Sequence, residues 1–386
     1  MVIGAVAVLP CDLVVVSINM DLKNDKRIVL TLDAGGTNFV FSALQGGEEI
    51  VEPVTSPAFT EDLTKSLQAI INGFKQVRKR LSRTPNAISF AFPGPADYPA
   101  GIINNVGNLP AYSGGVALGP MLEDEFGLPV FINNDGDLFA YGEAMAGLLP
   151  EINGELSSRD IPKRYKNLLG VTIGTGFGGG IIVKNSLLRG DNSASGEIWV
   201  TRNFDYPRMI AEEGVSIRAV QRAYKEFDPN TTDLLSPKDI YDIAKGEKQG
   251  NTKAAINAFE KMGKVLAESI ANAITLIDGA IVIGGGISAA SDLFLPVVIK
   301  HLNGKIIGDD GKKYQRLVST VYSLENTESA NDFYSFTKEE LTVPFSERCI
   351  SYASEKRIPI GITRLGTSKA IALGAYFFAL ENIQAS

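Results

Sequence analysis

The sequence predicts an α/β protein of two similar domains that share a central cleft. Two stretches about 140 residues apart, 28–44 and 168–183, each place a glycine-rich turn between two apolar runs. In the first stretch, β-branched and aromatic residues stand on both sides of the turn, which favours strands and makes the turn the tip of a hairpin. A plan repeated at this distance indicates an internal duplication, in which each domain offers one loop to the same site.

The tip of the first hairpin is suited to phosphate oxygens. Gly35 and Gly36 can adopt positive φ and bring backbone amides close to a ligand, and Thr37 and Asn38 add side-chain donors. Asp33 stands at the end of the preceding strand, where its carboxylate could hold a hydrated Mg²⁺. An ordinary glycine-rich turn has the same composition, so this interpretation depends on the other motifs of the chain.

A third glycine motif follows an apolar run in residues 280–288, and it could let a flat adenine ring lie close to the backbone. Its glycines are Gly284, Gly285 and Gly286. Each of the three motifs is weak by itself. The three in this order are much more specific than a lone glycine motif.

The pattern of apolar residues between these motifs predicts the helices and strands that support them. Apolar residues recur at helical spacing over 61–80, which predicts an amphipathic helix packed on the first sheet. Short apolar runs at 87–92 and 129–132 predict strands, and the polar, charged residues 150–167 predict an excursion near a hinge between domains. Two further helices are predicted, a long one that includes 262–277 and a Ser/Thr-capped apolar one over 366–380.

The order of these motifs resembles the ROK family of sugar kinases, within the superfamily of actin, hexokinase and Hsp70. The resemblance implies a two-lobed, actin-like ATPase (ribonuclease H-like) fold, with ATP and Mg²⁺ as cofactors and a small sugar as substrate. It extends over about residues 26–380 and is carried by LDAGGTN (32–38), FAFPGPAD (90–97), NNVGNLPAY (104–112), INNDGD (132–137), GTGFGGG (174–180), ASGEI (194–198), IGGGIS (283–288) and GTSKAIALGAY (366–376).

The resemblance also implies how the chain divides. Residues 25–138 together with 366–386 would form the N-terminal lobe, because the family sends its last helix back onto the first domain, and residues 139–365 would form the C-terminal lobe. Residues 302–345 show no clear period, and a compact family member needs little of them. We expect an insertion there that is either an added lobe or an oligomerisation element, and a homodimer, which is common among relatives.

Asp135 is the candidate general base. A carboxylate within reach of a sugar hydroxyl can take its proton as the γ-phosphoryl group is transferred. Taken alone, capping of a helix that begins near Leu138 is the simpler explanation of Asp135 or Asp137. The family's catalytic motif, of Glu-Asn-Asp-Ala-Asn type, puts Asp135 on the catalytic aspartate and Asn134 on a sugar-binding asparagine. Three neighbours depart from that motif: Asn133, Gly136 and Asp137.

The resemblance implies further contacts to both substrates. Asn108 lies in a loop whose amides suit sugar hydroxyls, and Glu197 falls on a glutamate that binds two of them. Glu212, rather than Glu213, is selected as a second acidic sugar contact by its distance from Ser216. The second hairpin would bind the β- and γ-phosphates through Gly174, Thr175 and Gly176.

Cysteine and histidine usage departs from the family. Many members carry a structural zinc bound by a histidine and a cysteine cluster shortly after the position of Glu197. Here Trp199 and Val200 follow, and the chain holds only Cys11, Cys349 and His301. We therefore expect no zinc site and no disulfide framework, and a reducing cytoplasm as the location.

Composition and the N-terminal sequence argue against nucleic acid and membranes as binding partners. A net charge of −7 and a pI near 5.1 oppose general binding of nucleic acid. Residues 1–19 are apolar, but no Lys or Arg precedes the run, Pro10 and Asp12 interrupt it, and its apolar stretches are too short for a bilayer. We expect a disordered extension over 1–24, or an upstream start assigned in error over 1–19, and no membrane association, with a secretion signal as the less favoured alternative.

The sequence thus predicts a kinase that transfers the γ-phosphoryl group of Mg·ATP to a hexose or N-acetylhexosamine, at the 6-hydroxyl. The alternative is a catalytically silent, sugar-sensing regulator of the same family; the DNA-binding type is disfavoured by the acidic charge and by the 32 residues before Asp33. A dinucleotide-binding fold needs a helix after its glycine turn, and the P-loop pattern GxxxxGK[ST] does not occur. The sequence leaves the identity of the sugar open.

Overall fold

The computed structural model describes most of the chain. The described ranges are 24–94, 96–104, 109–231, 235–337, 339–352 and 354–383. All but one residue of the extension predicted for 1–24 lies outside these ranges, as do Cys11 and the predicted sugar contact Asn108. Within the described ranges, no helix is both long enough and apolar enough to cross a lipid bilayer.

The regular elements alternate between strands and helices. The strands are β1 (Ile28–Ala34), β2 (Asn38–Gln45), β3 (Glu48–Glu49), β4 (Val54–Pro57), β5 (Ala87–Ala91), β6 (Ala96–Asp97), β7 (Ile102–Ile103), β8 (Val116–Ala117), β9 (Val130–Asn133), β10 (Leu168–Ile173), β11 (Phe177–Val183), β12 (Ser186–Leu187), β13 (Ala280–Gly284), β14 (Lys305–Ile307), β15 (Lys313–Gln315), β16 (Thr320–Ser323), β17 (Glu339–Thr342), β18 (Cys349–Tyr352) and β19 (Arg357–Ile362). The helices are α1 (Leu63–Arg80), α2 (Leu118–Phe126), α3 (Asp135–Ala146), α4 (Leu148–Ser158), α5 (Ile217–Phe227), α6 (Pro237–Lys245), α7 (Thr252–Ile277), α8 (Ser291–Leu302), α9 (Thr327–Tyr334) and α10 (Thr367–Ile383).

Two sheets repeat one plan. The first has the strand order β3-β2-β1-β5-β9, and the second has β12-β11-β10-β13-β19 with β16 added at the edge. In each sheet the hairpin strands are antiparallel, β1 with β2 and β10 with β11, and the strands beyond them run parallel. The sheets therefore correspond strand by strand, as the predicted duplication requires.

The two sheets and three layers of helices form a stack of five layers. Helices α1 and α2 cover the outer face of the first sheet, and α5 to α8 cover the outer face of the second. Helices α3, α4 and α10 lie between the sheets, where their apolar side chains form one cluster with residues from the inner face of each. Because the parallel strands end on the same side, the loops after β1, β9, β10 and β13 meet at one edge of the stack.

Local sequence accounts for the helix boundaries. Helix α1 begins where the Asp62 side chain accepts a hydrogen bond from the Lys65 amide, and its last turn carries three basic residues that suit the negative end of the helix dipole. Helix α6 begins with a capping box between Ser236 and Asp239. In α3 the N-cap is Asn134, so this helix begins at Asp135, ahead of the predicted start near Leu138.

Two segments are more ordered than their sequences suggest. Residues 148–158, which overlap the predicted excursion, form helix α4, because four apolar side chains share a buried face: Leu148, Leu149, Ile152 and Leu156. Residues 302–345 contain the hairpin β14–β15, helix α9 and the start of the hairpin β17–β18. They also supply β16, which pairs with β19 inside the second sheet.

Candidate active site

A cleft of about 1030 Å³ opens at the edge where the strand-ending loops meet. Its walls come from the chain near β6, the start of α3, the second hairpin, the loop 192–200 and the first turns of α10. Among the predicted site residues it is lined by Asn134, Asp135, Gly174, Thr175, Gly176, Glu197, Glu212 and Gly285. The structure thus brings together residues that lie up to about 150 positions apart.

Asp135 stands at the first position of α3 and faces the cleft. The amide of Gly136 donates hydrogen bonds of 2.8 Å to both the Asn134 and the Asp135 side-chain oxygens, which fixes the direction of the Asp135 carboxyl. Burial raises the pKa of Asp135, the hydrogen bond from Gly136 opposes that rise, and the charge of Asp33 adds to it. The carboxyl group is therefore oriented, accessible to solvent and more basic than an ordinary aspartate.

Tyr98 supports this arrangement, although the sequence analysis did not single it out. Its hydroxyl donates to the carbonyl oxygen of Phe92 at 3.1 Å and accepts a weaker bond from the Asn134 side-chain amide at 3.4 Å. Burial raises the pKa of Tyr98, and nearby carboxylates raise it further. Tyr98 lies one residue beyond the motif at 90–97, and only the fold brings it beside Asn134.

Asp137 is a buried carboxyl two positions into α3. Its side chain is 5% exposed, and its Oδ1 atom has no hydrogen-bond partner among the described residues. Burial raises the pKa of Asp137 to about 8, helped by the charges of Glu197 and Asp135 and opposed by Arg189. At neutral pH this carboxyl is therefore protonated in the folded protein.

Replacement of Asp137 by Asn should stabilise the protein at alkaline pH. Below about pH 4 the carboxyl is protonated in both the folded and the unfolded chain. Between that value and its folded pKa of about 8, only the unfolded chain ionises, so the free energy of unfolding falls as pH rises. We expect the advantage of Asp137→Asn over the wild type to grow by about 2–4 kcal/mol between pH 5 and pH 8.

Urea denaturation at the two pH values measures this advantage. Asp124→Asn, at an exposed position of α2, is the control for loss of an aspartate that is not buried. A stability difference between Asp137→Asn and wild type that does not change with pH would show that Asp137 is ionised in the folded protein.

The second hairpin forms one wall of the cleft, and Glu212 is held against it. The Glu212 Oε2 atom accepts a hydrogen bond of 3.1 Å from the Phe177 amide, and its Oε1 atom forms an ion pair of 3.1 Å with Arg218. A Cβ atom at Gly176 would lie 2.7 Å from the same Oε2 atom. Glu213, the other candidate, pairs with Arg222 and lines a separate, smaller cavity.

The three glycines at the end of β13 take different positions. Gly285 lines the cleft with a φ of 86°, and a Cβ atom there would lie 2.2 Å from the Ile173 carbonyl oxygen, so the chain requires glycine at this point. Gly284 ends the buried strand, and Gly286 has open space at its Cβ position. The Gly285 amide donates to the Thr367 hydroxyl at 2.8 Å, which ties this motif to the first turn of α10.

The first hairpin lies beside the main cleft. Asp33 lines an adjoining cavity of about 450 Å³ between the first sheet and α10, and Ile371 contributes to both cavities. Burial raises the pKa of the Asp33 carboxyl. The tip residues are described by the structure but do not line either cavity: Gly35, Gly36, Thr37 and Asn38.

Comparison with known proteins identifies close and distant relatives. The model of the ROK family matches residues 29–327. The crystal structure of a glucokinase from Parabacteroides distasonis ATCC 8503 is 52% identical, with a TM-score of 0.87, and covers 94% of this chain and 99% of that one. This likeness confirms the predicted two-lobed, actin-like ATPase fold.

Curated relatives include both kinases and a repressor. A glucokinase from Halalkalibacterium halodurans is 27% identical over 71% of this chain and 85% of its own length. An N-acetyl-D-glucosamine kinase from Vibrio cholerae is also 27% identical, over 66% of this chain and 83% of its own length. A xylose repressor from Bacillus spizizenii is 25% identical over 53% of this chain and 50% of its own length.

Proposed function

The chain belongs to the ROK family, and from that premise we propose that it is an ATP-dependent sugar kinase. It transfers the γ-phosphoryl group of ATP to a hydroxyl of a hexose or N-acetylhexosamine, namely the 6-hydroxyl. The observation that carries the proposal is the position of Asp135, an oriented carboxyl with a raised pKa that faces the same cleft as the glycine turn 174–176. The reaction takes place between an N-terminal lobe of residues 25–138 and 366–386 and a C-terminal lobe of 139–365.

Proton removal is the task of Asp135. A sugar hydroxyl is a weak nucleophile, and a carboxylate within hydrogen-bond distance accepts its proton as the bond to phosphorus forms. The bonds from the Gly136 amide keep the Asp135 carboxyl in one orientation, so the reaction does not have to order it. Asn134, whose amide group is held by Tyr98, lies beside it as a sugar contact.

Phosphate binding is the task of the glycine turns. The turn 174–176 lines the cleft, where its backbone amides would meet the negative charge that develops on the transferred group, and Gly285 lies where the nucleoside is expected. The turn 35–38, which lines neither cavity, is proposed as the second phosphate loop on the ground of family resemblance. The Asp33 carboxylate has no side-chain partner among the described residues, which leaves it free to hold a hydrated Mg²⁺. Such an ion, bound with the nucleotide, supplies positive charge that balances the phosphates.

Sugar binding falls to carboxylates and amides on the cleft wall. Glu197 and Glu212 both line the cleft. Ionised carboxylates accept hydrogen bonds from sugar hydroxyls and make stronger bonds than neutral groups do. Asn108, outside the described residues, is proposed as a further contact on the ground of family resemblance alone.

A coupled assay of ADP release tests this function. Purified protein with Mg·ATP is given glucose, mannose, fructose, N-acetylglucosamine or N-acetylmannosamine, and we expect at least one sugar to accelerate ADP release far above the rate without sugar. The match to a xylose repressor supports a second candidate, a regulator that binds sugar without turnover. A sugar that raises the melting temperature but yields no ADP would favour that regulator over the kinase.

A further inference from the structure

Trp199 has no assigned role, yet it lies in the wall of the cleft. It is the only tryptophan of the chain. Its side chain lines the same cavity as Asp135 and Glu197, and the residue is 38% exposed. A large aromatic ring left open to a polar cleft exposes apolar surface to water, which is unfavourable unless a ligand covers it.

The indole ring also holds Glu197. The Nε1–H group of Trp199 donates a hydrogen bond to the Glu197 Oε2 atom. An indole N–H is a donor only, so it supports the carboxylate in its accepting form. Within the described residues no hydrogen bond to the Glu197 Oε1 atom is formed, and this oxygen remains able to accept a bond from a ligand.

The backbone around Trp199 is anchored on both sides. Gly196, at a φ of 81°, packs against β11, where a Cβ atom would lie 2.9 Å from the Gly179 carbonyl oxygen. Ile198 is buried, and its carbonyl accepts a hydrogen bond of 2.6 Å from the Thr201 hydroxyl. The position of the indole is therefore set by the folded turn, which is a precondition for preorganised binding.

We propose that Trp199 is a sugar-binding residue that also positions Glu197. Its N–H group holds one carboxylate oxygen, so that the other meets a sugar hydroxyl, and its ring face packs against the C–H face of the sugar. This inference rests on the proposed function of the same site. The Trp199 side chain makes two contributions, the hydrogen bond of its N–H group and the contact of its ring. Different substitutions can remove them separately.

Steady-state kinetics of three variants test the two contributions. Trp199→Phe keeps a ring and removes the N–H group, and we expect the KM for sugar to rise about 10-fold. Trp199→Ala removes both, and we expect a rise of about 100-fold. The KM for ATP should stay within about twofold in each. Phe204→Ala is the matched control, because Phe204 is an exposed aromatic residue that packs on His301 and does not line the cleft.

Intrinsic fluorescence of the wild type gives an independent readout, because all tryptophan emission comes from Trp199. Saturating substrate sugar should shift or quench this emission, whereas a sugar that is not phosphorylated should leave it unchanged. Turnover by the wild type together with unchanged emission and an unchanged sugar KM in Trp199→Ala would overturn this inference and leave the proposed function intact. Absence of both turnover and binding for every sugar would overturn the proposed function itself.

Discussion

Asp135→Asn should lower kcat for sugar phosphorylation by about 10²- to 10⁴-fold, which is the usual contribution of a general base. The asparagine keeps the size of the side chain and an oxygen that accepts the hydrogen bond from the Gly136 amide. It loses the ability to take a proton. We therefore expect the dissociation constant for sugar, measured by calorimetry, to change by no more than a few fold.

The pH dependence of the wild type provides a second view of the same group. A general base works only when it is deprotonated, so kcat falls as the pH drops through the pKa of Asp135. Burial and the charge of Asp33 raise that pKa, and the acidic limb of the kcat profile should lie above the value of about 4 expected for an ordinary aspartate. If Asp135→Asn kept the wild-type kcat at all pH values, Asp135 would not be the general base.

Gly142→Ala should destabilise the protein and lower activity, although Gly142 does not line the cleft. Helices α3 and α10 cross at two glycines. A Cβ atom at Gly142 would lie 1.9 Å from the Ala370 carbonyl oxygen, and one at Gly374 would lie 1.9 Å from the Leu138 carbonyl oxygen. Because these contacts are with backbone, an added methyl group must separate the helices, at a cost of about 1–3 kcal/mol.

The same displacement of helix α3 would also change the geometry of the candidate active site. Helix α3 begins at Asp135, so a shift of this helix moves the candidate base relative to the second hairpin, and a misplacement of about 1 Å can cost about 100-fold in rate. Urea denaturation and kcat together measure the effect. The control is Gly154→Ala in the neighbouring helix α4, where nothing lies within 4 Å of the added Cβ. That control should be neutral or slightly stabilising, since alanine favours helix over glycine by about 0.5–1 kcal/mol.

An unchanged unfolding midpoint in Gly142→Ala would contradict the close crossing of α3 and α10. The crossing is also the part of the fold least visible in the sequence. Gly142 and Gly374 lie in stretches whose local pattern reads as an ordinary buried helix, and only the packing of two helices between two sheets requires glycine at both positions.

The local sequence pattern was sufficient to predict both glycine-turn hairpins and two of the helices. The hairpins 28–44 and 168–183, helix α1 and helix α10 form where the sequence predicts them, because apolar period and turn residues agree there. It missed helix α4, because two of its four buried apolar residues, Leu148 and Leu149, precede the polar, charged stretch 150–167. It also failed for β16, a four-residue strand that is stabilised by its neighbour β19.

The same distinction applies to the candidate site. Asp33, Asp135 and Glu197 stand in recognisable motifs, so the sequence pointed to them directly. Tyr98 and Thr367 join them through contacts that only the fold creates, to Asn134 and Gly285 respectively. Hydrogen bonds between residues far apart in the chain leave no local signal in a single sequence.

Phosphorus NMR of the complete reaction tests the central proposal most directly. Wild type and Asp135→Asn are incubated with Mg·ATP and the sugar that gives the fastest ADP release. We expect a new phosphomonoester signal, coupled to the protons of carbon 6, with the wild type and almost none with the variant. Sugar that binds without any phosphomonoester, or a phosphomonoester that forms equally fast with Asp135→Asn, would contradict it.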